Sequence, residues 1–112
     1  MTSLAIRTIA LATMAVAASA AIAAEPERSG DPATGRRFAL QTCALCHVVA
    51  SGQLAPKRFA TAPSFNTIAN MNSTTASSLH AYLSTPHPIM PNLILTRQEQ
   101  RDVITYILSL KR

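Results

Sequence analysis

Beyond residue 24 this chain of 112 residues has no apolar run long enough to cross a membrane, and it holds only two cysteines. A spanning helix needs about 20 consecutive apolar residues, so nothing after the leader is expected to enter a bilayer. Convincing alternation of apolar and polar residues is missing as well, which excludes a half-buried sheet and leaves an all-α fold as the expectation. Internal repeats are absent, and so are low-complexity tracts outside the leader. Charge is sparse, with ten Lys/Arg against five Asp/Glu. A modest, scattered excess of this kind lacks the clustered stripe of a nucleic-acid footprint, and no nucleic-acid partner is expected.

The apolar stretch that is present lies at the start. MTSLAIRTIALATMAVAASAAIAA carries Arg7, then an uncharged Ala/Ile/Leu/Met/Val run, then small residues suited to signal-peptidase cleavage. Residues 1–24 therefore read as an export signal, with cleavage after Ala24 preferred over cleavage after Ala23; the rival reading is a retained anchor. Without the leader the chain keeps 88 residues and a formal charge of +4, since Arg7 leaves with it. Residues 25–112 make one domain, near the size at which an unaided apolar core becomes marginal.

Several helices can be placed on that domain. Asp31-Pro32 reads as an N-cap followed by proline at the first helical position, opening a helix through ATGRRFALQT towards Cys43. The segment VVASGQLAPKRFATAPSFN, residues 48–66, has no sustained period, and so long a loop is uncommon in a compact domain unless it wraps something. Residues 67–71 suggest a short helical turn. Ser73, Thr74 or Thr75 can cap a second helix in TASSLHAYLST, with Leu79, Tyr82 and Leu83 on one face. In TPHPIMPN three prolines exclude helix and central strand, leaving a stiff extended strap. Thr96 with Glu99 three residues later signs a third helix, whose stripe is Val103, Tyr106, Ile107 and Leu110. Lys111 and Arg112 fall at its negative end.

Both cysteines sit in Cys43-Ala44-Leu45-Cys46-His47. A disulfide closing so short a loop would stabilise little. Structural zinc needs two further ligands, for which only His80 and His87 remain at poor spacing. A thioredoxin-like dithiol needs strands that are not there. C-x-x-C-H is the pattern of covalent c-type haem attachment: two thiols one turn apart add to the two vinyl groups of one porphyrin, and His47 lies beneath the iron as its proximal ligand. One covalent haem c would also supply apolar core to a small chain and give the long loop something to enclose.

The other axial position has four candidates, Met71, His80, His87 and Met90. Met90 lies between Pro88 and Pro91, which hold its backbone without regular structure, as a weakly binding thioether requires. His87, on the same strap, is its rival. Met71 lacks such a context, and His80 belongs on the second helix.

GRRFALQTCALCHVV, APSF, PHPIMPNLILT and VITYILSL, in this order, resemble the class I cytochromes c of the bacterial periplasm, over residues 31–112. The resemblance implies first and last helices that cross, a haem wrapped by loops and a middle helix, and His47 and Met90 as the iron ligands. It also implies that the Pro63 carbonyl accepts a hydrogen bond from the other ring nitrogen of His47, fixing the ring. Gly35 and Tyr106 match the family's glycine–aromatic contact between the crossing helices. Ala39 departs from the pattern, standing where an aromatic residue is common, with Phe38 before it.

The task so implied is one-electron transfer by a monomeric periplasmic carrier, without enzymatic activity and with unidentified donor and acceptor proteins. The pairs Arg36-Arg37 and Lys57-Arg58 could steer acidic partners or merely solubilise the surface. Alternatives are a small haem subunit of a dehydrogenase or oxidase complex, and a diatomic-ligand sensor with a labile Met90.

Overall fold

The computed structural model describes residues 29–56 and 61–112. The expected export signal and residues 57–60, with Lys57 and Arg58, lie outside them. Among the described residues the regular structure is entirely helical: α1 (Pro32–Thr42), continued by a 3-10 turn (Cys43–Leu45), then α2 (Phe65–Ala69), α3 (Ala76–Leu83) and α4 (Arg97–Ser109).

The Asp31 carboxylate starts α1 by accepting from the amides of Ala33 at 3.0 Å and Thr34 at 3.3 Å and from the Thr34 hydroxyl at 2.7 Å. These bonds, that of the Thr34 side chain foremost, hold the Asp31 carboxyl below its ordinary range. Thr75 and Ser78 form a reciprocal capping box on α3, as Thr96 and Glu99 do on α4. Ser64 caps α2, which opens at Phe65, two residues before the expected helical turn, because its hydroxyl accepts from the Thr67 amide at 3.0 Å.

The main interface joins α1 to α4. Gly35 makes it possible: a Cβ there would overlap the carbonyl of Asp102 on the α4 backbone, one turn before Tyr106. The close approach is thus backbone to backbone, with buried Tyr106 one turn further along the same helix. Ala39, where that pattern carries an aromatic, is fully buried and small enough to keep the two helices close. Asp102 locks the crossing, since its buried carboxylate accepts from the Asp31 amide at 2.8 Å and the Gln98 side-chain amide at 2.7 Å.

Around this crossing Val49, Phe65, Ala69, Leu79, Val103, Ile104, Tyr106 and Ile107 form the core. Burying an aliphatic side chain such as Val103 contributes about 1.5–3 kcal/mol. The stripe on α4 faces inward as its spacing requires, with Leu110 at the margin. On α3, Leu79 is buried, whereas Tyr82 turns half outward. The C-terminal cations also differ from expectation: α4 ends at Ser109 with no basic residue in its last turn. Lys111 donates its ammonium to the Thr74 carbonyl at 2.8 Å, tying the chain end to the start of α3 instead of to its own helix end.

Candidate metal centre

α1 runs straight into the turn that carries both cysteines. The amides of Cys46 and His47 donate to the Cys43 carbonyl at 3.1 and 2.9 Å, so residues 43 and 46 stand one turn apart. The thiols are not bridged. Burial, reinforced by the neighbouring Cys46, pushes the Cys43 thiol up to about 11. Among the described residues no group of three His, Cys, Asp or Glu side chains could hold a metal ion, which removes the structural-zinc reading.

The His47 ring is held from two sides. Its Nδ1 lies 2.7 Å from the Pro63 carbonyl, and because a carbonyl only accepts, Nδ1 carries the proton in this bond. Nε2 remains as the donor atom. Phe65 sets its ring 5.7 Å from the imidazole at 53°, and Tyr106 lies 6.3 Å beyond Phe65, so the imidazole touches the end of an aromatic row reaching α4. The Phe65 amide donates to the Val48 carbonyl at 2.9 Å, which brings Pro63 alongside.

Two contributors escaped the sequence reading. Gln53 bridges the backbone after the histidine: its side-chain amide donates to the His47 carbonyl at 2.9 Å and its oxygen accepts from the Val49 amide at 2.9 Å. Gly52, at φ +80°, makes the turn that sends Gln53 back onto that segment. Tyr106 donates its hydroxyl to the Val49 carbonyl at 2.6 Å, in the core. A lone Gln in an irregular loop carries no sequence signal for such a role.

Cys43, Cys46, His47 and Pro63 are therefore brought together. Met90 is half-buried on the strap and, among the described residues, shares no hydrogen bond or ring contact with them. His87 stacks on Tyr82 with ring centroids 3.6 Å apart at 27°. Met71 and His80 are exposed. Ile89, Ile94 and Leu54 are at least nine-tenths exposed, leaving apolar side chains on both strap and loop without protein cover. Unbridged thiols one turn apart, an imidazole with Nε2 as its remaining donor and uncovered apolar segments together fit a covalently attached haem.

Arg36 lines a different place, a cleft of about 580 Å³ with Lys111, Arg112, Val48 and Tyr106 in its walls. None of the cysteines, His47 or Met90 borders it. Arg37 donates to the Thr34 hydroxyl at 2.8 Å on the outer face of α1.

This helical frame and C-x-x-C-H turn define a class I monohaem cytochrome c: residues 32–111 match the Cytochrome c family, and the chain belongs to it. It is 39% identical over 83 residues to cytochrome c-552 of Bradyrhizobium diazoefficiens, a match covering 74% of this chain and 78% of that protein. No solved structure matches. Membership brings with it a covalently bound haem c with iron, electron transfer as the task, and redox partners. No helix among the described residues is long and apolar enough to cross a membrane.

Proposed function

We propose that this protein is an exported one-electron carrier of the periplasm, with Cys43 and Cys46 as haem thioethers and His47 and Met90 as the two iron ligands. The observation that carries the reading is the 2.7 Å contact between His47 Nδ1 and the Pro63 carbonyl. A proton fixed on Nδ1 leaves Nε2 as the ligating lone pair and makes the imidazole a stronger donor. When bound, a c-type haem supplies a ferric/ferrous couple whose potential depends on axial ligands and burial.

Each residue then has a separate task. The thioethers prevent loss of the cofactor. Pro63 and Phe65 hold the imidazole plane, so that it need not turn when the charge at the metal changes. The Met90 thioether is soft and neutral and favours the reduced state. With His47 and Met90 both bound to it, a haem iron would have no position left for a substrate, in keeping with a carrier rather than an enzyme. Export rests on the leader sequence, where Arg7, the apolar run and the small residues before Glu25 match a cleavable signal.

The test is an optical spectrum of the oxidised haem protein in the red region. Methionine–ferric charge transfer gives a weak band there, lost in Met90→Ala, which should also gain carbon monoxide binding when reduced. A band that survives in Met90→Ala would exclude this ligand. Mass spectrometry of protein isolated from the periplasm tests export: a start at Glu25 supports cleavage after Ala24, and a chain retaining residues 1–24 refutes it.

A further inference from the structure

The strap between α3 and α4 is almost without anchors. Among the described residues, no backbone or side-chain hydrogen bond involves any residue from 86 to 95. The last bonds before it are those of Thr85, whose amide and hydroxyl donate to the carbonyls of Tyr82 and Ala81 at 3.3 and 2.7 Å. The first after it are those of Thr96. Pro86, Pro88 and Pro91 have no N–H to give. One specific contact remains within the segment, the stack of His87 on Tyr82 at 3.6 Å and 27°.

The foundation under that stack is firm. Tyr82 belongs to α3, whose start is capped by Thr75 and Ser78 and whose Leu79 is buried in the core. Past its end, Ser84 accepts from the side-chain amide of buried Gln100 on α4 at 3.0 Å. A ring resting on Tyr82 is therefore referenced to the core, and Met90 follows three residues later along a backbone stiffened by proline.

We propose that the Tyr82–His87 stack is a positioning device for the upper iron ligand: it fixes the strap so that Met90 is presented to the metal at low entropic cost. The inference rests on the reading of Met90 as that ligand. His87 is in this view a strut and not a rival donor. Stiffening the backbone with proline limits each residue's freedom but does not choose the direction in which the strap leaves α3. The ring pair supplies that direction.

The experiment uses the haem-loaded protein, oxidised, with imidazole as a probe that competes with Met90 for the metal. Tyr82→Ala and His87→Ala should each tighten apparent imidazole binding by about three- to tenfold, the change that corresponds to losing one aromatic pair. Tyr82→Phe and His87→Phe keep a ring in place and should stay within about twofold of the unmodified protein on the same scale. The double alanine variant should bind imidazole no more tightly than either single one, because both remove the same contact. Tyr82 is half exposed, so the fold should survive its truncation, and far-ultraviolet dichroism checks this in the same samples.

Imidazole affinities unchanged in both alanine variants, with the red band present in the unmodified protein, would overturn the proposal while leaving Met90 as ligand. Failure of the phenylalanine variants to restore binding would overturn it too, since the rings would then not be the cause. A band missing from the unmodified protein would remove the Met90 reading itself, and the positioning role with it.

Discussion

The two candidate ligands are held in opposite ways. His47 sits in a mesh: Pro63 on its ring, Gln53 on its backbone, Phe65 beside it and Tyr106 on the segment that follows. Met90 lies on a ten-residue strap with three prolines and one ring contact. The chemistry of the donors accounts for the contrast. An imidazole has a plane and two distinct nitrogens, and it works only if the correct nitrogen points at the metal, which demands directional bonds. A thioether needs only to be delivered to the right distance, and restricted backbone freedom with a single brace can do that.

The contrast can be broken or sharpened by experiment. The largest effect is expected in amide exchange: strap amides between residues 87 and 95 should exchange about a thousandfold faster than the Phe65 amide, which is bonded to Val48. Equal protection would erase the distinction. Next comes the foundation of the histidine side, where Gly35→Ala forces a methyl group into the Asp102 carbonyl. Overpacking of that kind should cost about 3 kcal/mol in denaturant unfolding, well above the gain of up to about 1 kcal/mol from better helix propensity. A neutral Gly35→Ala would mean that α1 and α4 can part without loss.

Gln53→Ala should lower stability by about 2 kcal/mol, because it strips partners from the His47 carbonyl and the buried Val49 amide together. Tyr106→Phe should cost about 1 kcal/mol, removing one buried hydroxyl bond while keeping the ring. If the Gln53 variant proves milder than the Tyr106 variant, the mesh around the histidine is carried by the core and not by the loop. The smallest effect is acid sensitivity. The carboxyls of Asp31 and Glu99 are both held low, Asp31 mainly by the Thr34 side chain and Glu99 mainly by the Thr96 backbone amide. Groups lowered in the folded state stabilise above the unfolded value, near pH 4, and that contribution fades as the pH falls through the folded value. Removing either carboxylate should flatten the acid limb of the stability curve, and Asp31→Asn with an unchanged limb would discount the cap.

Much of the frame was legible because its causes are local. Asp31-Pro32, Thr75 and the Thr96–Glu99 pair bring their capping atoms within three residues of the amides they serve, so spacing alone reveals them. The inward stripe of α4 follows from helical period for the same reason. Ser64 is hard to recognise as a cap because the irregular loop before it obscures where α2 begins. Local rules give Lys111 no acceptor beyond its own helix end, yet it donates to Thr74, 37 residues earlier. The motif marks Gly35 as a point of close approach, but the depth of that approach, down to the Asp102 carbonyl, belongs to the helix crossing.

For the site, chemistry and spacing were enough to bring Cys43, Cys46 and His47 together and to nominate Met90, since one helical turn and a pair of flanking prolines are properties of the chain itself. Resemblance supplied Pro63, and the fold puts its carbonyl within hydrogen-bonding distance of Nδ1. Gln53, Asp102 and the stack of His87 on Tyr82 belong to tertiary structure alone. Each depends on groups brought together from separate segments or from opposite sides of a turn, and the geometry of such a meeting is set by how the helices cross, which no local pattern of residues encodes.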